Sequence, residues 1–374
     1  MIDTGLASSV DQLLEWIVEP IQLTRAQYQE AVAVYDEMRL WLHDPSSGLA
    51  KHTILIYPQG SGALGTTIRP KGRVEYDLDA VCLIEAAGVS PIALYQSVLV
   101  RIKHHPKYGS LVRERDRCIR LKLKDKFHFD LIPAIPDPER GGTFILVPDR
   151  KLKFWVGSNP LGYIEAFKTA ETLVLEEVAK RDWIPVPPQE PAREKSVLAL
   201  LVQLAKRRRD VFFDGADVAP SSILLTTMAM QSYRGVQSLG SALLEFAEAM
   251  KRRVMAAEGQ PLVVLNPSNP GENLAACLES KPCRDALEEL VSTFAGEARE
   301  LSEAAGYDEI YRLLRTMFAE SAEFAMKRAA DEVNRKRASD GLRVTPAMAS
   351  VTAARPRPSQ RIPRNTFYGG AWVH

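Results

Sequence analysis

The sequence is most informative between residues 59 and 79, where it reads Gln59-Gly60-Ser61-Gly62-Ala63-Leu64-Gly65-Thr66 and then, further on, Tyr76-Asp77-Leu78-Asp79. A short Gly-Ser turn that leaves a strand can direct backbone N–H groups and a hydroxyl at phosphate oxygens, because glycine permits an approach that a side chain would block. Such turns are also common in ordinary loops. The turn therefore becomes a candidate phosphate site only together with the residues that follow it.

Two aspartates follow the turn on a predicted strand from Tyr76 to Ile84. Residues two apart in a strand share a face, so the carboxylates of Asp77 and Asp79 lie side by side. Adjacent anions repel each other and need a counter-charge, and hard oxygen ligands at this spacing suit Mg²⁺. The alternative is a solvent-facing strand edge that carries two acids without a function.

A third acid, Asp130, lies among apolar residues in Lys126-Phe127-His128-Phe129-Asp130-Leu131-Ile132-Pro133. Three carboxylates from neighbouring strands can hold two metal ions. One ion lowers the pKa of an attacking hydroxyl. The other binds the triphosphate and stabilises the leaving pyrophosphate. For Asp130 alone, the alternative is an acid at a strand end beside a turn. His128 shares a face with Asp130 and has either a packing role or a place at the border of the site.

Four strands are predicted around these acids, at 53–57, 76–84, 117–124 and 127–135, with a helix at 91–103 between the second and the third. Two residues separate the third strand from the fourth, which predicts a hairpin. The third strand alternates apolar with basic residues, so one face is buried and the other is wet and basic. Its apolar residues are Ile119, Leu121 and Leu123, and its basic residues are Arg120, Lys122 and Lys124.

Helical periodicity flanks the predicted sheet on both sides. Leu13, Leu14 and Ile17 at helical spacing predict a first helix that Pro20 interrupts, and Thr24 with Gln27 forms a capping-box pattern that starts a second. After about Leu161 the pattern is helical almost to the tail. From Thr345 onward Pro, Arg, Ser and Ala predominate, so we expect a flexible tail there.

The composition narrows the class of protein. With 46% hydrophobic and 25% charged residues the chain is typical of a globular protein. Its net charge of +1 disfavours a partnership with long nucleic acid, which usually requires a basic excess. The four cysteines form no C-x-x-C pair, which argues against a zinc site. No apolar run is long enough to span a bilayer and no signal peptide is visible, so we expect a cytoplasmic protein without a membrane partner.

The order of the motifs, Gly-Ser, then Asp-x-Asp, then a lone Asp after a basic hairpin, resembles the polymerase-β-like nucleotidyltransferases. A closer resemblance is to the bacterial cGAS/DncV-like nucleotidyltransferases of antiphage signalling operons, relatives of cyclic GMP-AMP synthase and oligoadenylate synthase. It spans about residues 10 to 340. The blocks that carry it are Tyr57-Pro58-Gln59-Gly60-Ser61, Gly65-Thr66, Tyr76-Asp77-Leu78-Asp79, Phe129-Asp130-Leu131-Ile132-Pro133-Ala134-Ile135, Trp155, Ser158-Asn159-Pro160, Lys206-Arg207-Arg208-Arg209-Asp210, Asn266-Pro267 and Glu272-Asn273.

This resemblance implies an α+β fold in which a polymerase-β-like core, a mixed sheet with helices, precedes a C-terminal helical domain in the bilobed arrangement of its relatives. We therefore expect a catalytic domain with N-terminal helices at 1–165. A helical nucleotide-binding domain at 166–344 and a flexible tail at 345–374 complete the expected organisation.

The resemblance also implies roles for single residues. Asp77, Asp79 and Asp130 correspond to the ligands of Mg²⁺, with Mn²⁺ as an alternative, and Gln59, Gly60 and Ser61 correspond to residues that bind the nucleotide. Lys206 and Ser221 resemble the lysine and serine that meet the donor triphosphate and base from the helical lobe. Two alternatives stay open: Lys206 as a solvated basic helix end, and Ser221 as a helix N-cap with Ser222 as the true match.

The function implied is the condensation of nucleoside triphosphates, including ATP, into a cyclic di- or trinucleotide second messenger, with release of pyrophosphate, in antiphage defence. The alternatives are synthesis of linear oligoadenylate, addition of nucleotides to RNA, and a catalytically inactive nucleotide-binding module. Many members of this family are encoded beside a ubiquitin-transfer-like enzyme that acts on their C-terminus. The tail, which ends in Phe367-Tyr368-Gly369-Gly370-Ala371-Trp372, is the segment such an enzyme would reach.

Overall fold

The computed structural model describes residues 4–69, 71, 76–123, 127–151, 153–171, 183–216, 218–278, 280–339, 343–345, 350–352 and 360–361. Strands and helices are mixed in the first half of the chain, and helices dominate the second half. The expected α+β class is confirmed. The helices are α1 (Thr4–Ile21), α2 (Arg25–His43), α3 (Gly60–Ala63), α4 (Pro91–Lys103), α5 (Pro160–Ala170), α6 (Val197–Phe213), α7 (Ser222–Ser232), α8 (Leu239–Met255), α9 (Lys281–Glu303), α10 (Tyr307–Phe318) and α11 (Glu320–Ser339).

A seven-stranded sheet forms the centre of the first half. Five of its strands follow the order β1-β2-β5-β4-β3, and β6 and β7 extend it from β5. The pair β2–β5 is parallel, and the other neighbours are antiparallel. Its strands are β1 (Ile54–Gln59), β2 (Tyr76–Ile84), β3 (Val112–Glu114), β4 (Ile119–Leu123), β5 (Phe127–Pro136), β6 (Ile145–Asp149) and β7 (Phe154–Ser158).

The four strands predicted from the sequence correspond to β1, β2, β4 and β5, and the predicted helix corresponds to α4. The hairpin between β4 and β5 is confirmed by its antiparallel register, in which Leu123 pairs with Phe127. Its turn, residues 124–126, lies outside the described residues. The alternation in β4 is confirmed as well, since its apolar side chains are buried whereas Lys122 is exposed.

One face of the sheet packs against α2 and α4 and holds the first apolar core. Aromatic and aliphatic side chains fill it because β2, β4 and β5 each present alternate apolar residues to this face. Its members include Tyr35, Met38, Leu42, Leu78, Tyr95, Val98, Leu121, Phe127 and Phe129. This packing fixes the two strands that carry the aspartates.

Helix α2 begins where the sequence predicts. The Thr24 hydroxyl accepts a hydrogen bond from the Gln27 N–H (3.2 Å), and the Gln27 side chain accepts one from the Thr24 N–H (2.9 Å). This reciprocal capping box satisfies two backbone donors that a helix start leaves open. Farther along α2, the Tyr35 hydroxyl donates to the Ile56 carbonyl (3.1 Å), which ties the helix to β1.

Helix α1, which we assigned together with α2 to the catalytic domain, packs mainly against helices of the second half of the chain. Its apolar face, which includes Leu13, Leu14 and Ile17, lies in a second core that is built mainly from α6 to α11. Periodicity predicts the helix but cannot say which partner covers its apolar face. Of the two N-terminal helices, α1 therefore packs with the helical half, whereas α2 packs on the sheet.

The remaining strands are short. A hairpin of β8 (Leu265–Asn266) and β9 (Asn269–Asn273) interrupts the helical half. At the start of the tail, which we expected to be flexible from Thr345 onward, β10 (Arg343–Thr345), β11 (Ser350–Thr352) and β12 (Gln360–Arg361) form a small antiparallel sheet. Among the described residues, no helix has the length and apolar character needed to cross a membrane.

Candidate active site

The register of the parallel pair β2–β5 brings the three aspartates together. Asp79 on β2 lies opposite Asp130 on β5, and Asp77 lies opposite His128. Because residues two apart on a strand share a face, all three carboxylates belong to one face of the sheet. The sequence-based prediction that three carboxylates come from neighbouring strands thus agrees with the topology.

The Gly-Ser turn lies directly beside this face. Gln59 ends β1 and pairs with Asp79, so the chain turns into α3 next to that carboxylate. Gly60 has a φ of +61°, and a Cβ atom at this position would lie 2.8 Å from Asp79 Oδ2. Both the left-handed backbone and the close approach require glycine here. The turn is held by hydrogen bonds from Thr66 N–H to the Ser61 carbonyl and from the Thr67 hydroxyl to the Ser61 hydroxyl, both 3.0 Å.

The two carboxylates on β2, those of Asp77 and Asp79, have too little positive charge around them to offset their burial and mutual repulsion. Burial raises the pKa of Asp79 to about 7, and the neighbouring Asp130 and Asp77 carboxylates add to this effect. Burial also raises the pKa of Asp77, with Asp130 adding to it, whereas Arg120 and His128 act in the opposite direction. Such anions cost free energy unless a cation joins them.

Arg120 on β4 is the principal cation in contact with these acids. Its Nε and Nη2 donate to the two oxygens of Asp130, at 2.7 and 2.6 Å, and Nη2 also lies 3.4 Å from Asp77 Oδ1. His128 Nδ1 lies 3.1 Å from the same Asp77 oxygen, so His128 borders the site. Sequence reasoning assigned Arg120 only to a wet basic face. The hairpin register would have located it, because pairing Leu123 with Phe127 puts Arg120 opposite Asp130.

The donor set suits a hard divalent cation. Among the described residues, no three His, Cys, Asp or Glu side chains are already arranged around a common metal position. Asp77 and Asp79 nevertheless offer adjacent oxygens on one face, and burial makes their charge costly. Oxygen ligands of this kind fit Mg²⁺ or Mn²⁺. The identity of the metal stays a prediction.

These residues open onto a cavity of about 650 Å³ between the sheet and the helices. Its volume is within the range of small-molecule sites, roughly 300–1,000 Å³. The Gly-Ser turn and the β2 acids form one wall, and α6, α7 and the β8–β9 hairpin contribute the others. The lining includes Gln59, Gly60, Ser61, Thr66, Asp77, Asp79, Ser158, Asn159, Tyr163, Lys206, Asp210, Ser222, Thr226, Asn266 and Glu272.

Lys206 occupies the interior of α6 and is only 3% exposed. Its Nζ donates to the carbonyl (3.1 Å) and the hydroxyl (3.2 Å) of Thr66, on the loop that follows the Gly-Ser turn. Burial lowers the pKa of Lys206 to about 7, and the nearby Arg209 charge acts in the same direction. The alternative of a solvated helix end is therefore wrong. Contact of Lys206 with nucleotide phosphates stays a prediction.

The two serines before α7 have different surroundings. Ser221 is the N-cap of the helix, and its hydroxyl accepts from the Leu224 N–H at 3.4 Å. Ser222, not Ser221, appears in the cavity lining that the described residues form, and its hydroxyl accepts from Arg209 Nη1 at 2.8 Å. The geometry thus favours the alternative in which Ser222 is the residue that faces a nucleotide.

Residues 8–170 match a family model described as the Second Messenger Oligonucleotide or Dinucleotide Synthetase domain. The chain is 30% identical over 296 residues to the cyclic dinucleotide synthase CdnG of Bradyrhizobium diazoefficiens, with 72% of this chain and 70% of the relative covered. The chain belongs to the cGAS/DncV-like nucleotidyltransferases. This chain, a cGAS/DncV-like nucleotidyltransferase (CD-NTase), is also similar to a c-di-GMP synthase of Roseivirga ehrenbergii, at 29% identity over 380 residues with 99% of this chain and 100% of the relative covered.

Solved structures of CD-NTases have the same fold. Bradyrhizobium diazoefficiens CdnG in complex with GTP is 25% identical, with a TM-score of 0.68, over 85% of this chain and 98% of that one. Vibrio cholerae DncV, a cyclic AMP-GMP synthase, is 15% identical with a TM-score of 0.60 over 82% and 94% of the two chains. The polymerase-β-like architecture expected from the motifs is confirmed by these likenesses.

Proposed function

We propose that this CD-NTase condenses nucleoside triphosphates into a cyclic dinucleotide and releases pyrophosphate, as a signalling reaction of antiphage defence. The observation that carries the proposal is the convergence of the Gly-Ser turn, the acids Asp77 and Asp79, and the buried Lys206 on one cavity. Two relatives named for cyclic dinucleotide synthesis support it, and one of them aligns with nearly the whole chain. An inactive module would not need to keep this set together.

In each step, a ribose hydroxyl attacks an α-phosphorus, a new P–O bond forms and the bond to the β-phosphate breaks. The hydroxyl proton passes to solvent water and pyrophosphate leaves with the electron pair of the broken P–O bond, and a second such step closes the ring. The three carboxylates would hold the divalent cation. When bound, that cation supplies the charge that activates the hydroxyl and stabilises the leaving group.

The other residues of the cavity bind and orient the triphosphate. Gly60 and Ser61 line the cavity, where the hydroxyl of Ser61 and the N–H groups at the start of α3 would donate to phosphate oxygens. Lys206 would add a charge-assisted contact, and the anionic phosphates would favour its protonated form. The wall formed by α6 and α7 shelters these contacts from water, which strengthens them.

We also infer that GTP is a substrate, in addition to the ATP expected from the motifs. The relative that aligns over the whole chain is named a c-di-GMP synthase, and CdnG was solved with GTP. Among the cavity residues, the carboxylate of Glu272 can accept hydrogen bonds from N–H groups of a base. Base choice, however, depends on the whole pocket rather than on one residue.

The direct test is incubation with all four labelled nucleoside triphosphates and Mg²⁺ or Mn²⁺, followed by mass spectrometry and nuclease mapping. We expect a cyclic dinucleotide that contains guanine. The double variant Asp77→Asn, Asp79→Asn should make none while remaining folded, because metal binding is lost without a change in volume. A linear product, or turnover by the folded double variant, would contradict the proposal.

A ubiquitin-transfer-like enzyme that acts on the C-terminus is proposed as a partner on the basis of family resemblance alone. The terminal residues 362–374 lie outside the described part of the chain. Deletion of the residues after Arg364 should leave basal synthesis nearly unchanged, because the cavity is built from earlier residues, but should prevent capture by the partner. Normal capture of the truncated protein would rule this partnership out.

A further inference from the structure

The three acids of the site are not equally available to a ligand in the cavity. Asp77 and Asp79 line the cavity, whereas Asp130 is absent from the lining that the described residues form. The Asp130 side chain is 9% exposed, and both of its oxygens accept from Arg120. Two acids therefore face an incoming nucleotide, and the third is already bound by a cation of the protein.

A bidentate guanidinium contact and a metal ion compete for the same carboxylate. The fork of Arg120 uses one oxygen with Nε and the other with Nη2, in the geometry that is strongest for this pair. A divalent cation on Asp130 would also lie close to the guanidinium charge and be repelled by it. Asp130 can thus coordinate a metal ion only if its ion pair with Arg120 is broken.

Occupancy of the other two acids favours that release. Arg120 Nη2 lies 3.4 Å from Asp77 Oδ1, so a cation bound at Asp77 weakens this second contact and repels the guanidinium. The Arg120 side chain is 20% exposed, which gives it a path towards solvent. The first cation thereby lowers the cost of freeing Asp130 for a second.

We propose that Arg120 withholds Asp130 from divalent metal until a metal–nucleotide complex occupies Asp77 and Asp79, so that the metal site is assembled in two ordered steps. Arg120 is then a positioning residue that acts through Asp130. The inference rests on the proposed function for the identity of the ligand. Its test measures metal binding without turnover, so the two can fail separately.

The experiment is titration of the full-length protein with Mn²⁺, followed by electron paramagnetic resonance of the free ion, with and without a non-hydrolysable GTP analogue. Arg120→Gln removes the ion pair, and Arg120→Lys keeps the charge. Without nucleotide, Arg120→Gln should bind Mn²⁺ about tenfold more tightly than the wild type, the scale of effects seen when partners of metal ligands change. With the analogue, the two proteins should differ by less than about threefold. Arg120→Lys keeps the charge but loses the bidentate contact, so without nucleotide its Mn²⁺ affinity should lie between those of the wild type and Arg120→Gln.

Arg113→Gln is the matched control. Arg113 lies opposite Arg120 on β3, but its side chain donates to the backbone carbonyls of Ser110 and Val112. Its Mn²⁺ affinity should equal that of the wild type. In an Asp130→Asn background, Arg120→Gln should no longer change the affinity.

Equal or weaker Mn²⁺ binding by folded Arg120→Gln without nucleotide would overturn the proposal, because Arg120 would then only hold Asp130 in place. If Arg120→Gln does not fold, Arg120→Lys decides instead. A lysine cannot reproduce the bidentate contact, so tighter Mn²⁺ binding by Arg120→Lys than by the wild type would support withholding by that contact, and equal or weaker binding would overturn it.

Discussion

Replacement of Asp79 by Asn should stabilise the metal-free protein at alkaline pH, although it removes a predicted metal ligand. Burial and the carboxylates of Asp130 and Asp77 raise the pKa of Asp79 to about 7, whereas an unfolded aspartate has a pKa of about 3.9. The folded state therefore holds this proton more tightly than the unfolded state does. The contribution of the Asp79 carboxyl to the free energy of unfolding is fully present below the unfolded pKa and is lost as the pH rises through 7.

The magnitude follows from the size of the shift. About three pKa units at about 1.4 kcal/mol per unit set an upper limit of about 4 kcal/mol. Asp79 is only partly buried by its accessible surface, so solvent screening reduces this, and we expect about 2–4 kcal/mol at pH 8.5. At pH 4.5 the wild-type carboxyl is protonated in the folded state, and the two proteins should agree within about 1 kcal/mol.

Urea unfolding in the presence of a chelator, from pH 4.5 to 9, measures this difference. Lys206 changes the free energy of unfolding with pH in the opposite direction. Burial lowers its pKa to about 7, so its contribution to stability is lost as the pH falls through that value. Comparing the variant with the wild type at each pH largely removes this contribution. Asp331→Asn, at an exposed position on α11, is the control.

An Asp79→Asn variant that is no more stable than the wild type at pH 8.5, or a difference in stability that is independent of pH, would contradict a raised pKa at Asp79. Mg²⁺ with a non-hydrolysable nucleotide should reverse the order, because the ligand stabilises only the protein that binds it.

Three further substitutions test the cavity. Lys206→Met should raise the KM for nucleoside triphosphate, with a loss of about 1–3 kcal/mol for a charge-assisted contact, and unchanged steady-state kinetics would assign the lysine a structural role. Gly60→Ala should lower both activity and the denaturation midpoint, whereas Gly88→Ala, which has a similar φ of +68° but no atom within 4 Å, reports the backbone strain alone. Ser222→Ala should raise the KM, while Ser221→Ala should cost about 1 kcal/mol of stability through the lost N-cap and leave the KM unchanged; the reverse pattern would restore Ser221 as the nucleotide contact.

Local signals in the sequence predicted the parts of the fold that depend on nearby residues. The capping box at Thr24, the alternation in β4 and the hairpin to β5 each rest on neighbours within a few positions. The approach of Asp77 and Asp79 followed from strand periodicity alone. Asp130 followed from its strand and the order of the motifs.

Features that depend on distant partners were missed or misassigned. The burial of Lys206 results from packing of α6 against the loop at Thr66, which lies 140 positions away in the chain. The basic run suggested solvent because a lysine is usually exposed. The pairing of Arg120 with Asp130 requires a register, which charge alternation does not provide. The packing partner of α1 likewise depends on tertiary contacts, which its own sequence pattern does not specify.

The position of α1 also sets an order of folding during synthesis. The α1 face packs in the same core as α11, and Arg328 on α11 pairs with Glu19 and lies over the ring of Trp16. The sheet, by contrast, is contiguous in the chain from α2 to β7, and later residues that join its core, such as Trp183 and Val186, follow soon after β7. At about 5–20 residues per second, roughly 15–60 s separate the emergence of α1 from that of its last partner. During that interval the helical core that covers the apolar side of α1 is incomplete, and a nascent chain with such a side exposed is a natural client for ribosome-associated chaperones.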